Sequence, residues 1–283
     1  MKKVAILGPG LLGGSLALAL RARSKSFVSV WARREEAVEE IGREEVADFA
    51  STNLAAVAGD ADLVVLCTPI GVMLGLARQL AKVVRPQTLI TDVGSVKGPV
   101  VANLRAIFDG GAQFVGSHPM AGSEQTGIRA ARADLFADAV CIVTPETKTD
   151  PAAVARISAF WEMLGCTVRH LSPEDHDAVV ALVSHLPHLL AAVLISTISE
   201  AHRDAFNFCG PGFRDTTRVA SGPPGMWAEI LQFNRIAVRK SAEAVIEKLR
   251  EIITLLDANP ADPAMHAFLT HAKTERDRLP PSK

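Results

Sequence analysis

The chain has 283 residues, of which 48% are hydrophobic and 22% charged, an ordinary composition for a globular protein with room for two domains. The chain has thirty Lys and Arg residues and thirty-one Asp and Glu residues, so its formal net charge is -1. Without a charge excess we expect no binding to nucleic acid or to an anionic membrane. The cysteines at 67, 141, 166 and 209 lack CxxC spacing, which favours free thiols in a reducing compartment.

The N-terminus resembles a secretory signal in one respect, because Lys2 and Lys3 precede an uncharged run over residues 4–20. Glycine and proline interrupt that run between positions 8 and 14, whereas a signal peptide has a continuous apolar helix. The run is also too rich in glycine to span a membrane, and we expect no other stretch to come close. The sequence therefore predicts a cytoplasmic protein.

The first 170 residues alternate short β-type runs with helical patterns. Strands are predicted at residues 4–7, 28–31, 63–67, 88–92, 113–116, 140–143 and 167–170. Several of them are apolar throughout, as expected for parallel strands buried on both faces. Helices are predicted between them, for example at residues 11–23, 72–84 and 99–108. This alternation predicts a doubly wound parallel α/β sheet of the Rossmann type over residues 1–170.

The pattern becomes helical from residue 171 to the end. Ser172-Pro173-Glu174-Asp175 is a helix start, and long helices are predicted at residues 174–202, 225–257 and 263–274. A Gly/Pro-rich break separates them at 208–224, and Pro187 is expected to kink the first. Residues 179–198 are more apolar than a surface helix needs to be. We therefore expect residues 171–283 to form an all-helical domain that makes a homodimer.

The first motif with chemical content follows the first strand and opens the first helix. It runs Gly8-Pro9-Gly10-Leu11-Leu12-Gly13, in the G-x-G-x-x-G pattern of dinucleotide-binding proteins. Gly8 permits a tight turn, Gly10 permits close approach of a pyrophosphate, and Gly13 permits close helix–strand packing. The helix start at Leu11 and Leu12 offers backbone N–H groups to the phosphates. The alternative is a glycine-rich turn without a ligand.

The residues that end the second strand bear on the choice of dinucleotide. An NAD site usually carries an acid there, which binds the ribose 2′-hydroxyl. This chain has Ala32 followed by Arg33 and Arg34, and arginine favours a 2′-phosphate. NADP is therefore predicted, with NAD possible. The alternative is a solvated arginine pair, because Glu35 and Glu36 follow at once.

Two further strand ends lie at the edge where parallel sheets bind ligands. Thr68 and Pro69 follow one strand and are predicted to contact the cofactor, while Ser95 and Lys97 follow the next strand. Ser95 could exchange a hydrogen bond with a ligand, and Lys97 could supply a charge. Ser95 could also be the N-cap of the next helix, or serve in both ways.

A histidine follows another strand end. His118 lies beside Pro119 in a predicted Gly/Ser loop at the ligand-binding edge, a placement typical of an acid–base residue. From the residues alone, a structural histidine is an equal alternative.

The helical half contributes histidines and arginines. His185 and His188 lie three residues apart and share a helix face. They lack the i, i+4 spacing and a third ligand, so no metal site is predicted. Arg214 and Arg218 lie one turn apart and suit carboxylate recognition, with Arg214 the better candidate for a structural ion pair, for example with Asp215.

Together these motifs resemble one known family. In order from Gly8 to Trp227 they are GPGLLGGS, VVLCTP, TDVGSVK, GSHPMAGSE, SHLPH, GFRDTTRVA and PGMW. This set resembles the prephenate/arogenate dehydrogenases. The resemblance implies an NAD(P)-dependent oxidative decarboxylation in tyrosine biosynthesis, with either prephenate or L-arogenate as the small-molecule substrate. It also implies a homodimer through the helical domain.

The same resemblance implies roles for individual residues. His118 would accept the proton of the substrate hydroxyl, and Ser95 would orient this histidine and the nicotinamide. His188 would line the substrate pocket, and Arg218 would anchor a substrate carboxylate. The remaining implied substrate residues are Glu124 and Trp227.

Two other hypotheses stay open. A different hydroxyacid-type dehydrogenase with this layout would need a catalytic lysine in the helical domain, where Lys240, Lys248 and Lys273 occur on charged helix faces. A non-enzymatic dinucleotide sensor would not need His118 together with Arg218. The family also often has an acid where this chain has Ala32, which leaves the preference for NAD in doubt.

Overall fold

The computed structural model describes residues 1–122, 125–257 and 262–279. A six-stranded parallel sheet with the order β3-β2-β1-β4-β5-β6 forms the centre of the first half. Its strands are β1 (Lys3–Leu7), β2 (Phe27–Trp31), β3 (Phe49–Ser51), β4 (Leu63–Leu66), β5 (Leu89–Asp92) and β6 (Gln113–Phe114). The strand order reverses between β1 and β4, the point at which such sheets bind ligands.

Helices cover both faces of this sheet, so the predicted doubly wound fold is confirmed. They are α1 (Leu11–Arg23), α2 (Glu35–Arg43), α3 (Leu54–Ala58), α4 (Ile70–Leu80), α5 (Gly98–Phe108) and α6 (Pro151–Met163). Alternate residues of β1 enter two separate cores: Val4 and Ile6 pack on the side of α1 and α6, while Ala5 and Leu7 pack on the side of α3, α4 and α5. Burial on both faces explains why this strand is apolar throughout.

A second, three-stranded sheet holds β7 (Gly116–Pro119), β8 (Val140–Thr144) and β9 (Thr167–His170). The prediction of one strand over residues 113–116 was wrong, because the chain leaves the first sheet after Val115 and pairs antiparallel with β8. His118 is consequently part of a strand, paired with Ile142, rather than of a loop. Strand β3 was not predicted, because a three-residue edge strand is too short to show a period.

The part of the chain from Pro173 onward contains helices and no strand among its described residues. The helices are α7 (Pro173–Val180), α8 (Leu186–Ala201), α9 (Pro211–Thr217), α10 (Pro224–Phe233), α11 (Arg235–Leu256) and α12 (Ala264–Asp277). A single π-helical turn, Ala181–His185, joins α7 to α8. This turn ends two residues before Pro187, which has no N–H to continue a regular helical ladder. The predicted helix 225–257 is two helices that meet at Asn234.

The joined helical stretch carries an unusual amount of exposed apolar surface. Leu182, Val183 and Val193 are each more than half exposed, at 56%, 63% and 52%. Within the described residues, Pro173–Ala201 is also long and apolar enough to cross a membrane by length and composition, so the expectation that no stretch comes close was wrong. Exposed apolar surface of this kind is typical of a site of association.

Candidate active site

A cleft of about 660 Å³ opens at the carboxyl edge of the six-stranded sheet. It lies between the turn after β1 and the ends of β2 and β4. Of the predicted cofactor residues, the cleft is lined by Gly8, Gly10, Arg33, Arg34, Thr68 and Pro69. Three elements that are far apart in sequence thus meet at the switch point of the sheet.

The glycine turn has the shape that a pyrophosphate requires. Gly8 has φ +116°, a conformation that favours glycine, and a Cβ on Gly13 would overlap the Gly8 carbonyl oxygen. A Cβ on Gly10 would meet no atom within 4 Å, so this residue faces open space. The hydroxyl of Thr68 is buried in the cleft wall without a hydrogen-bond partner among the described residues. The cleft therefore fits a ligand that brings its own acceptors and donors.

The helices that begin at this edge of the sheet differ in whether a side chain already accepts hydrogen bonds from their N-terminal N–H groups. Glu229 accepts a hydrogen bond from the Gly71 N–H at the start of α4 at 3.1 Å, and Asp177 accepts from the Lys97 and Gly98 N–H groups at the start of α5. Helix α1 has no side-chain cap and no acid in its first turn, which begins at Leu11. In the described part of the chain, α1 is therefore the one of these three helices that still offers its N–H groups to a phosphate.

The roles of Gly10 and Gly13 are separable by experiment. Gly13→Ala should destabilise the protein by about 1–3 kcal/mol, because the added methyl group overpacks α1 against the turn. Gly10→Ala should leave the free energy of unfolding nearly unchanged and weaken dinucleotide binding, because its methyl group enters the open cleft. Chemical unfolding and fluorescence titration of the dinucleotide measure the two effects. Equal binding by Gly10→Ala and the wild-type protein would contradict this assignment.

The two arginines after β2 are available to a ligand. Both Arg33 and Arg34 are exposed in the cleft and form no ion pair with any described residue. Glu35, which could have neutralised them, accepts a hydrogen bond from the hydroxyl of Thr52 at 2.7 Å. Ala32 is fully buried at the position where an acid would bind a ribose. The local charge facing the cleft is therefore positive.

A second pocket of about 350 Å³ brings together residues of both halves of the chain. Ser95 and His118 come from the sheet domain, while Arg218 and Trp227 come from the helical part. Strands β4 and β5 are neighbours in the sheet, so Ser95 and the cofactor cleft share one edge. Four of the residues singled out in the sequence thus line one cavity, although they are spread over more than a hundred positions.

His118 is held by a residue that the sequence analysis missed. Its Nδ1 lies 2.9 Å from Nε2 of His176, and Nδ1 of His176 lies 2.8 Å from Oδ1 of Asp177. Burial lowers the pKa of His118 well below its usual range, and His176 and Lys97 lower it further. The imidazole is therefore neutral at physiological pH and able to accept a proton. Because His176 lies inside a helix-start pattern, no sequence signal distinguished it.

Ser95 lies in the bend between β5 and α5 and lines the same pocket. The alternative that it caps α5 was wrong, because the cap position is Lys97. The N–H groups of Lys97 and Gly98 are bound instead by Asp177 of α7, at 2.7 and 2.8 Å. A carboxylate of the helical part therefore fixes the loop that carries Ser95.

The side chain of Lys97 does not face a ligand, contrary to expectation. It is completely buried and forms an ion pair with Asp92, which is equally buried. Asp92 also accepts hydrogen bonds from the N–H groups of Gly94 at 2.9 Å and Ser117 at 3.2 Å. This pair joins β5, its following loop and β7, and so sets the position of His118 next to Ser117.

The two histidines of the helical part differ in their surroundings. His185 lines the pocket and accepts a hydrogen bond, whereas His188, which was expected to line the pocket, is not among its lining residues. His188 stacks on Trp227 with ring centroids 3.6 Å apart and an interplanar angle of 8°. The amide of Asn234 donates to the Asp177 carbonyl at 2.8 Å and to Nδ1 of His185 at 3.1 Å, so the proton of His185 is on Nε2. Burial lowers the pKa of His185 to about 4. The described residues include no group of three metal-ligating side chains.

Arg214 and Arg218 of the GFRDTTRVA motif differ in whether they line the pocket. Arg218 begins the short 3₁₀ turn Arg218–Ser221 and lines the pocket, whereas Arg214 is exposed on α9 and lines neither cavity. The expected ion pair of Arg214 with Asp215 is not formed. Glu124 lies outside the described residues.

The fold and its cleft define an oxidoreductase with a nicotinamide-dinucleotide domain followed by a helical domain. Residues 16–170 match the family described as "Prephenate dehydrogenase, nucleotide-binding domain", and residues 172–271 match "Prephenate dehydrogenase, dimerization domain". The chain therefore belongs to the prephenate dehydrogenase family.

Individual relatives agree with this assignment. The chain is 34% identical to the prephenate dehydrogenase of Bacillus subtilis, over 98% of this chain and 76% of that protein. The prephenate dehydrogenase of A. aeolicus, solved with hydroxyphenyl propionate and NAD+, has a TM-score of 0.92 at 31% identity and 99% coverage of both chains. The arogenate dehydrogenase of Synechocystis has a TM-score of 0.85 at 32% identity, covering 98% of this chain and 99% of that one.

Proposed function

We propose that the chain catalyses the NADP-dependent oxidative decarboxylation of prephenate to 4-hydroxyphenylpyruvate, with residues 1–170 as the dinucleotide domain and 171–283 as the substrate and dimer domain. The observation that carries this proposal is the pocket in which the neutral imidazole of His118 and the guanidinium of Arg218 meet. A base and a carboxylate anchor in one cavity are what a hydroxy acid undergoing oxidation requires.

Each residue of the pocket has a separate role in the proposed reaction. A dinucleotide held in the glycine-turn cleft would supply the hydride acceptor. His118 accepts the hydroxyl proton at Nε2 as the hydroxyl-bearing ring carbon is oxidised. The bonding electron pair left by the departing CO2 then completes the aromatic ring, and the ring oxygen regains the proton from His118. In this proposal Ser95 orients His118 and the nicotinamide, and its position in the same pocket as His118 supports that role. Trp227 lines the pocket and offers an aromatic face to the substrate ring, while His188, which does not line the pocket, supports Trp227 by stacking on it.

One steady-state assay tests the function. Formation of the reduced dinucleotide is measured with prephenate and L-arogenate, each with NADP and NAD. We expect the fastest turnover with prephenate and NADP. Faster turnover of L-arogenate would move the assignment to an arogenate dehydrogenase, whose side chain carries an amino group in place of the keto group. Tight dinucleotide binding without turnover of either substrate would support the non-enzymatic sensor instead.

The structure weighs against the hydroxyacid alternative. Lys248 pairs with Glu251 and Lys273 pairs with Asp277 on exposed helix faces, and Lys240 is exposed as well. None of the three lines the pocket that holds His118.

Arg33 and Arg34 carry the preference for NADP in this proposal. Replacing both with Ala should raise the KM for NADP and leave the KM for NAD little changed, because only NADP has a 2′-phosphate for the guanidinium groups to bind. The exposed Arg239, which pairs with Glu243 on α11 far along the chain, provides a matched control for loss of charge. A wild-type preference for NAD would refute the NADP assignment and leave the fold assignment intact.

Arg218 is the proposed anchor for a substrate carboxylate. Arg218→Ala should raise the substrate KM at least about tenfold, since a charge-assisted hydrogen bond is worth about 1.5–3 kcal/mol. The KM of the dinucleotide should barely change, and Arg218→Lys should recover part of the loss because an ammonium lacks the two-pronged geometry. Arg214→Ala, one turn away and outside the pocket, is the control. Equal weakening of substrate and dinucleotide would indicate a structural arginine.

The proposed molecule is a cytoplasmic homodimer formed through the helical domain. The match of residues 172–271 to a dimerization domain supports this assembly, as does the exposed apolar face of Leu182, Val183 and Val193. The N-terminal run that resembles a signal peptide is the buried strand β1 followed by helix α1, which supports a segment retained in the fold.

A further inference from the structure

We infer that His176, held by Asp177, is a positioning residue that fixes the tautomer of His118, so that the nitrogen facing the pocket is the one without a proton. This inference rests on the proposed function for its catalytic meaning, while the tautomer itself is a property of the folded chain.

The hydrogen-bond chain can be assigned from its acidic end. Asp177 is a carboxylate that already accepts the Lys97 and Gly98 N–H groups at the start of α5, so it can only accept. The 2.8 Å contact between its Oδ1 and Nδ1 of His176 therefore requires a proton on Nδ1 of His176. In a neutral imidazole the other nitrogen then has a lone pair, so Nε2 of His176 is an acceptor.

The contact between His176 and His118 then fixes the tautomer of His118 in the pocket. Nε2 of His176 lies 2.9 Å from Nδ1 of His118, and an acceptor there requires a proton on Nδ1 of His118. Nε2 of His118 is consequently the unprotonated nitrogen. It forms no hydrogen bond with any described residue, and His118 lines the pocket. The lone pair thus belongs to the atom that a substrate hydroxyl can reach.

Both imidazoles must be neutral for this assignment, and their surroundings keep them so. Burial is the main cause that lowers the pKa of each, and the nearby Lys97 ammonium lowers both further. Asp92 and Asp177 act in the opposite direction on His176, but less than burial. The remaining groups facing the pair are His185 on the π turn and, across the pocket, Arg218 and Ser95.

The hydrogen bonds that link His118 to Asp177 through His176 also stabilise His118 after it has taken up a proton. When His118 takes up a proton at Nε2, its Nδ1–H still donates to His176, whose own Nδ1–H donates to the Asp177 carboxylate. The positive charge is thereby linked to a buried anion through two hydrogen bonds, as in other sites where a carboxylate orients a catalytic imidazole. Loss of such an orienting group lowers kcat by up to about 10⁴-fold when the tautomer is lost.

Two variants at one position separate positioning from simple packing. His176→Asn keeps an N–H donor near Asp177 and loses the acceptor that faces His118, whereas His176→Gln can place its carbonyl oxygen where Nε2 was. We expect kcat to fall at least about tenfold in His176→Asn, with partial rescue in His176→Gln and an unchanged dinucleotide KM. The acid limb of the kcat/KM profile should move only in the Asn variant. Equal kcat values for the two variants would overturn the inference.

A measurement without substrate tests the tautomer directly. Long-range ¹H–¹⁵N NMR of the ¹⁵N-histidine-labelled wild-type protein distinguishes protonated from unprotonated ring nitrogens, and His118→Asn assigns the signal among the eight histidines. We expect His118 to be protonated at Nδ1 and bare at Nε2. A proton on Nε2 would overturn the inference even in an active enzyme. The expected spectrum from a protein that turns over neither substrate would uphold the tautomer and refute the proposed function separately.

Discussion

Replacing His118 with Asn is expected to lower kcat by about 10²–10⁴-fold, the usual contribution of a general base. Asparagine can still donate its amide N–H to His176 in place of Nδ1, so the change removes the base at Nε2 with little disturbance of β7. Dinucleotide binding and thermal stability should stay close to those of the wild type. Near-normal kcat in this variant would mean that another group accepts the proton.

The pH profile of the wild-type protein gives an independent check on His118. Its base form is the neutral imidazole, and its lowered pKa keeps that form populated to more acidic pH than for a free histidine. Activity as kcat/KM should therefore stay level as pH falls towards about 6.5, the ordinary pKa of histidine, and decline only below it. A decline centred above that value would contradict the assignment of a buried neutral base.

Replacing Lys97 with Met should cost about 3–5 kcal/mol of unfolding free energy, because it leaves the fully buried Asp92 carboxylate without its cation. Chemical denaturation measures the loss. The double variant Lys97→Met/Asp92→Asn should recover part of it, since the uncompensated charge is then absent. Removing the exposed Lys248, which pairs with Glu251, should change stability by no more than about 1 kcal/mol. A small effect of Lys97→Met would mean that the buried pair is dispensable.

Local patterns in the sequence were sufficient for much of the fold. Strand β1 is apolar at successive positions because both of its faces are buried, and that pattern can be read without coordinates. The G-x-G-x-x-G turn is equally local, since one strand, one turn and one helix start contain all of it. The positions of Ser95, His118 and Arg218 within such motifs made them candidates, and the pocket brings them together.

Other features depend on contacts that no local pattern encodes. The split after Val115 follows from competition between two sheets for one segment, which depends on where β8 lies. Lys97 was expected to supply a charge to a ligand because the carboxyl ends of parallel strands are where such sheets bind ligands, yet it is completely buried against Asp92. Asp177, about eighty residues away in sequence, accepts the hydrogen bonds at the start of α5. The prediction that the nearby Ser95 caps this helix was therefore wrong.

The sequence by itself therefore determined the class of protein, the order of its two halves and four of the side chains that meet in the pocket, because periodicity and short motifs are properties of adjacent residues. The tertiary structure alone decided which side chains act on one another. His176 belongs to an ordinary helix start in the sequence, and it gains its position only because α7 packs against β7 and the start of α5. The hydrogen-bond partner of His118 fixes its tautomer, and burial lowers its pKa. Partner and burial both exist only after distant segments of the chain have packed together.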